Sequence, residues 1–249
     1  MKAGSSPPVV LVTGAAKRIG AAIARHLHAH GYAIALHYRG SETEAAALRD
    51  ELETNRPDST LLLQADLAQS DAAEALIART IDRFGRMDGL VNNASTFFPT
   101  PFGETTPAQW QALFDANARA PFFLAQAAAP HLRASRGAIV NMTDIYGERP
   151  LRDHTAYCMS KAALVMMTKS LALELAPDVR VNAVAPGAIL WPEHEPIDAA
   201  RQTAIIARTP LARTGTPDDI ADAVHWLLAS ARFTSGEVLH VDGGRLLVG

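Results

Sequence analysis

The chain has little of what marks secreted, membrane-bound or nucleic-acid-binding proteins. It contains one cysteine, Cys158, in 249 residues, so no intrachain disulfide can form, and Met1 to Pro8 lack the apolar core of a signal peptide. No apolar run approaches the ~18 residues needed to cross a bilayer. Charged residues are only 20% of the chain, the formal net charge is -3 and there is no long basic run. That balance excludes nucleic acid and an anionic membrane surface as expected partners. A cytoplasmic, reduced protein that acts on a small molecule is expected. Cys158, alone in a helix of small residues, is expected to pack rather than react, and no metal ligand set is expected.

What is present is apolar and serial. Hydrophobic residues make up 48% of the chain, enough for one large α/β domain over 1–249. Short apolar runs at Val9–Val12, Ala33–His37, Thr60–Gln64, Gly89–Val91, Ala138–Met142, Val179–Val184 and Glu237–Val241 read as strands. Between them, alanine-rich stretches carry helical periodicity: Ala21–His30, Ala45–Thr54, Ala72–Phe84, Gln109–Ala134, Ala156–Leu175 and Asp218–Ala229. Continuous rather than alternating apolar strands imply a parallel sheet covered on both faces. The expected fold is a single-domain, Rossmann-type, doubly wound α/β sheet of about seven parallel strands with helices on both faces. After the sixth strand the pattern lapses from Gly187 to Pro196, a stretch that holds Trp191 and His194; a substrate loop is expected over about 187–208.

The first strand runs into Thr13-Gly14-Ala15-Ala16-Lys17-Arg18-Ile19-Gly20. Such a turn delivers a helix N-terminus to the carboxyl edge of the sheet, where free N–H groups and the positive helix end favour a pyrophosphate. Arg18 stands where a middle glycine is usual. At the end of the second strand, His37-Tyr38-Arg39-Gly40-Ser41 lacks a carboxylate for a ribose 2′-hydroxyl. Arg39 and the Ser41 hydroxyl suit a 2′-phosphate instead, so NADP(H) is the expected cofactor. His37 and Tyr38 count among the cofactor-lining positions, although His37 needs no ligand role. Ser41 serves equally as a helix cap, with Glu44 completing a capping box.

Tyr157 precedes Lys161 by four residues and follows Asp144 by thirteen. A tyrosine with a pKa of about 10 moves protons poorly near neutrality unless its phenolate is stabilised. Lys161, one helical turn away, is expected to do this by through-space attraction and to reach a cofactor ribose.

In chain order, the glycine turn, Asp66 in Gln-Ala-Asp-Leu, Asn92-Asn93-Ala94, Asn117, Asp144, Tyr157, Lys161 and Pro186-Gly187 resemble the classical short-chain dehydrogenase/reductase family over essentially the whole chain. The resemblance implies an adenine contact at Asp66 beside Leu67, and cofactor contacts at Asn93, Ala94, Pro186 and Gly187. It also implies a water-holding Asn117 in a proton relay, and a homotetramer. As ordinary alternatives, Asp66 is a turn former and Asn117 a satisfied buried amide.

Three departures resemble the pteridine reductase branch: the turn containing Lys17-Arg18-Ile19, the run Ser95-Thr96-Phe97-Phe98-Pro99 after Ala94, and Asp144 in place of the usual serine. In that branch Arg18 lies between cofactor phosphates and pterin, Ser95 contacts the pterin, Phe97 stacks on it, and Trp191 closes the other side. Without the branch, Phe97 and Phe98 read as core aromatics under a loop. Aspartate also makes chemical sense there. An ionised carboxylate cannot donate to a developing oxyanion, but it accepts from N–H groups or relays a proton to a ring nitrogen. Thr143 would stand in for the serine if the strand end slipped by one residue.

The expected function is NADPH-dependent hydride transfer to a C=N bond of a pterin, with dihydrofolate as a further substrate. A general carbonyl or 3-ketoacyl reductase and a non-catalytic NADP(H) sensor are the competing readings.

Overall fold

The computed structural model describes residues 6–191 and 198–248. Its strands β1 (Val9–Val12), β2 (Ala33–Tyr38), β3 (Thr60–Gln64), β4 (Gly89–Asn92), β5 (Ala138–Met142), β6 (Arg180–Pro186) and β7 (Val238–Val241) form one sheet in the order β3-β2-β1-β4-β5-β6-β7. Every neighbouring pair is parallel. The helices are α1 (Arg18–Ala29), α2 (Glu42–Asn55), α3 (Ala72–Phe84), α4 (Pro107–Phe114), α5 (Ala120–Ser135), α6 (Thr155–Glu174), α7 (Ala199–Ala207) and α8 (Pro217–Ala229).

Strand alternation splits the core into two layers. Val10, Val12, Ile34, Leu36 and Val140 point to one face, where Ile23 and Leu27 of α1 and Ile220 and Val224 of α8 cover them. Leu11, Ala35 and Ile139 point to the other, against Leu76 and Ile77 of α3 and Leu124 and Leu132 of α5. With both faces covered, β1, β2 and β5 are buried along their whole length. The chain winds outward from β1 in both directions, so the carboxyl ends of β1 and β4 form the switch point where α/β sheets bind ligands.

Three features depart from the expected elements. The helix expected over Gln109–Ala134 is interrupted by a π-helical turn, Asp115–Arg119. Its wider register carries Asn117. Helix α7 was not legible as a helix: it buries no side chain and is held by the Asp198 carboxylate accepting from the Arg201 N–H. The capping box expected at Ser41 does not form. Ser41 precedes α2 without a side-chain capping bond, because the Glu44 carboxylate is drawn 2.6 Å from Lys17 Nζ. Of the loop after β6, Trp191 is described; Pro192, Glu193, His194, Glu195, Pro196 and Ile197 lie outside the described residues.

Candidate active site

The turn after β1 is shaped for close approach. Gly14 has φ of 62°, and a Cβ on it would lie 3.0 Å from the Ala94 Cα. Asn93 clamps the turn, its Nδ2 donating to the carbonyls of Thr13 (2.8 Å) and Gly14 (3.1 Å). The Thr13 hydroxyl oxygen accepts from the N–H groups of Asn93 and Ala94. Arg18 has φ of 54°, which explains why glycine is usual there; a side chain in this region costs about 1–2 kcal/mol. Its guanidinium reaches across the site to the Trp191 carbonyl, 2.9 Å away. The structure therefore brings Arg18 and Trp191 together. Ile19 packs against the core behind the turn.

These residues fit a dinucleotide. Lys17, the residue before α1, makes no side-chain cap, and the first turn of the helix holds no acidic residue, so its leading N–H donors are open to an anion. Arg39 is exposed, and its guanidinium has no partner among the described residues. Ser41, free of a capping role, lies two residues away. Asp66 is exposed and its carboxylate accepts from the Ala68 N–H at 3.0 Å, a turn bond that leaves its second oxygen available. Leu67 packs partly on the core. Gly187 continues the ladder from Pro186 by donating to the Val241 carbonyl at 3.0 Å.

His37 is a buried strut between two backbone segments. Its Nδ1 accepts from the Gly14 N–H (3.2 Å) and its Nε2 pairs with the Ala65 carbonyl (3.2 Å). Burial lowers its pKa to about 4. Because the unfolded state takes up the proton near 6.5 while the native state resists it, stability should fall as pH drops from 6.5 through 4. The full loss is about 3 kcal/mol. Urea unfolding between pH 4 and 7 checks this: the wild type should show a steeper loss than His37→Gln, and equal slopes would remove His37 as the cause.

Asp144 follows β5 and caps a short 3₁₀ turn, one oxygen accepting from the Tyr146 N–H at 2.9 Å. Its other oxygen accepts from the Tyr157 hydroxyl at 2.7 Å. The neighbouring Thr143 is buried with its hydroxyl donating to the Val184 carbonyl, so the strand does not slip and Thr143 does not face Tyr157's hydroxyl in place of Asp144. Lys161 is buried and donates to the Met142 carbonyl at 2.9 Å; its Nζ lies 5.8 Å from the Tyr157 ring centre.

The electrostatics correct one expectation. Lys161 does not hold the phenol acidic here: burial and the Asp144 carboxylate push Tyr157 well above 10. Burial also raises the Asp144 carboxyl and lowers Lys161 to about 8. Tyr157 thus keeps its proton and donates it to Asp144 in a 2.7 Å hydrogen bond, with the Lys161 cation buried nearby. Burial likewise raises the Cys158 thiol, so this half-buried cysteine has little thiolate to offer.

The Asn117 side chain is fully buried and its hydrogen-bonding groups are met by protein. Oδ1 accepts from Ser95 Oγ and the Thr96 N–H, and Nδ2 donates to the Thr96 carbonyl and Ser160 Oγ, all at 2.9–3.0 Å. The side chain is thus a satisfied buried amide that ties the loop after β4 to α6. Ser95 is exposed and donates into the same network. Phe98 packs in the small cluster around Leu113 and Tyr157, as a core aromatic. Phe97 does not: it is 41% exposed, edge-on to Tyr157 (ring centres 4.8 Å, 88°) and stacked on His154 (4.7 Å, 19°). His154 went unseen in the sequence. It precedes Tyr157 by three residues, and its Nε2 is buried without a partner among the described residues.

Fold and site together define an oxidoreductase of the dinucleotide-dependent α/β class. The family model described as "Enoyl-(Acyl carrier protein) reductase" matches residues 14–245. The chain belongs to the short-chain dehydrogenase/reductase family, whose members generally use nicotinamide cofactors. It is 36% identical to pteridine reductase 1 of Leishmania tarentolae, over 98% of each chain. It is 35% identical to a 3-oxoacyl-[acyl-carrier-protein] reductase of Staphylococcus aureus, over 94% of this chain and 96% of that one. A putative ketoacyl reductase of granaticin polyketide synthesis from Streptomyces violaceoruber is 36% identical over 97% of each. No helix among the described residues is long and apolar enough to cross a membrane.

Proposed function

We propose that the protein is an NADPH-dependent reductase of a C=N bond in a pterin. The observation that carries this reading is the Asp144 carboxylate bonded to the Tyr157 hydroxyl at 2.7 Å. A carboxylate at this position opposes a developing alkoxide but accepts from the N–H groups of an amino-pyrimidine ring. Reduction of C=N puts a hydride on carbon and a proton on nitrogen. A nicotinamide held at the turn after β1 would supply the hydride. Tyr157 donates the proton, and Asp144 holds that hydroxyl in place and contributes its own raised affinity for a proton. Lys161 keeps a positive charge beside the pair. The exposed surface of Phe97 offers a flat apolar wall next to Tyr157, and Arg18 presents a cation at the polar rim. Arg39 and Ser41 support NADPH over NADH.

The 3-oxoacyl reductase relatives favour a second reading, reduction of a ketone, at nearly the same identity. A panel of dihydropteridines, dihydrofolate and a 3-oxoacyl thioester, each run with NADPH and with NADH, separates the two by loss of the reduced-nicotinamide absorbance. Turnover on a dihydropteridine with preference for NADPH is expected. Turnover on the thioester with none on any pterin would sink the proposal. A sensor that binds NADPH without consuming it is disfavoured by the buried Tyr157 and Lys161 pair.

A further inference from the structure

Helices α1 and α8 lie side by side on one face of the sheet, and three imidazoles converge where they meet. His26 lies in the last turn of α1, with His30 just beyond it; His225 comes from the C-terminal half of α8. The ring centres of His26 and His30 are 4.3 Å apart, and His225 lies 4.1 Å from His30 and 5.3 Å from His26. One ring nitrogen of each histidine lies within 4.8 Å of the other two. His30 is exposed and the others are partly so, which leaves the cluster open to solvent.

The hydrogen bonds prepare these rings as ligands. His30 Nδ1 lies 2.8 Å from the His26 carbonyl, so Nδ1 carries the proton and Nε2 the free lone pair. Asp222 Oδ1 stands 3.4 Å from His26 Nδ1, an ion-pair distance from which a small movement would form the carboxylate–histidine arrangement that orients a metal-ligating ring. Asp218 adds a second carboxylate whose charge is felt at His26. A dication here also faces the negative end of α1.

We propose that His26, His30 and His225 form a binding site for a divalent transition metal of the zinc class, with water as the fourth ligand and Asp222 orienting His26. Metal–nitrogen bonds of about 2.0–2.1 Å require ligand nitrogens about 3.4 Å apart. On binding the rings therefore close by roughly an ångström, and the stacked His26 and His30 rings, 25° apart, tilt so that their lone pairs converge, with exposed His30 the freest to move. In the sequence only the i,i+4 pair His26 and His30 is visible; the third ligand, His225, lies almost two hundred residues further along the chain. The site ties α1 to α8 at the opposite end of α1 from Arg18, about 18 Å along a helix of 12 residues. Its effect is on stability rather than on hydride transfer.

The test uses the full-length protein stripped with a chelator and titrated with Zn²⁺ by calorimetry, with melting temperature and the visible spectrum of the Co²⁺-loaded protein as further readouts. One ion per chain, a raised melting temperature and the intense bands of four-coordinate Co²⁺ are expected. His30→Gln/His225→Gln should weaken Zn²⁺ binding by more than about 100-fold and abolish the thermal shift, with reductase activity unchanged. Asp222→Asn should weaken binding about 10- to 100-fold. No Zn²⁺ bound by the wild type, equal affinity in the double variant, or a six-coordinate Co²⁺ spectrum would overturn the site. Because the Co²⁺ spectrum is taken on the wild type, a double variant that fails to fold leaves the proposal open to refutation.

Discussion

Tyr157→Phe is expected to lower kcat for the cognate substrate by about 100- to 10,000-fold, the contribution of a positioned proton donor, with little change in KM. Phenylalanine retains the ring that packs with Leu113 and Ala156 and meets the edge of Phe97, so binding surface is kept and only the hydroxyl is lost. The Asp144 oxygen that accepted from that hydroxyl is left with one fewer donor. A lost hydrogen bond to a charged group costs about 1.5–3 kcal/mol, which a chain with two full core layers tolerates. Steady-state kinetics and circular dichroism on the same preparation check both halves. A folded variant with more than a tenth of wild-type kcat would show that the proton comes from elsewhere, with Asp144 the remaining donor in reach.

Much of this arrangement is readable in the sequence because it is local or periodic. A residue just past β5 and another in the first turn of α6 stand thirteen apart, and the fold closes that spacing into the bond between Asp144 and Tyr157. The strands are readable because a parallel sheet covered on both faces requires unbroken apolar runs. What escaped depends on contacts without a pattern. Helix α7 buries nothing, so it leaves no stripe. One residue added to a helix scarcely disturbs its periodicity, so the π turn that carries Asn117 reads as continuous helix. Lys161 bonds to a backbone carbonyl, an acceptor every residue has, so no residue pattern marks that contact. Ser41 lost its capping partner to Lys17 across an inter-element ion pair. The stack of Phe97 on His154 joins the loop after β4 to the start of α6, and nothing in either segment announces the other.

Gly20→Ala carries the second large effect, and its sign runs against helix propensity. Gly20 lies in α1, where alanine in place of glycine is favourable by about 1 kcal/mol in an open helix. Here the added Cβ would stand 2.2 Å from the Gly14 carbonyl oxygen and 2.6 Å from Asn93 Nδ2. Neither atom is the tip of a flexible chain. The carbonyl belongs to the turn, and Asn93 Nδ2 is the clamp that donates to Thr13 and Gly14. To admit the methyl, α1 must move off the turn or the clamp must open. Overpacking of this kind costs about 1–3 kcal/mol, which offsets the propensity gain, so a net loss of up to about 2 kcal/mol in urea unfolding is expected. Dinucleotide binding should suffer more. The displaced elements are the turn and the leading N–H groups of α1, and losing one charge-assisted hydrogen bond of about 1.5–3 kcal/mol weakens affinity about 10- to 100-fold. Fluorescence titration with NADPH measures this directly. Unchanged affinity in a stable Gly20→Ala protein would mean that the turn binds no phosphate, and the dinucleotide site would have to be sought away from the end of β1.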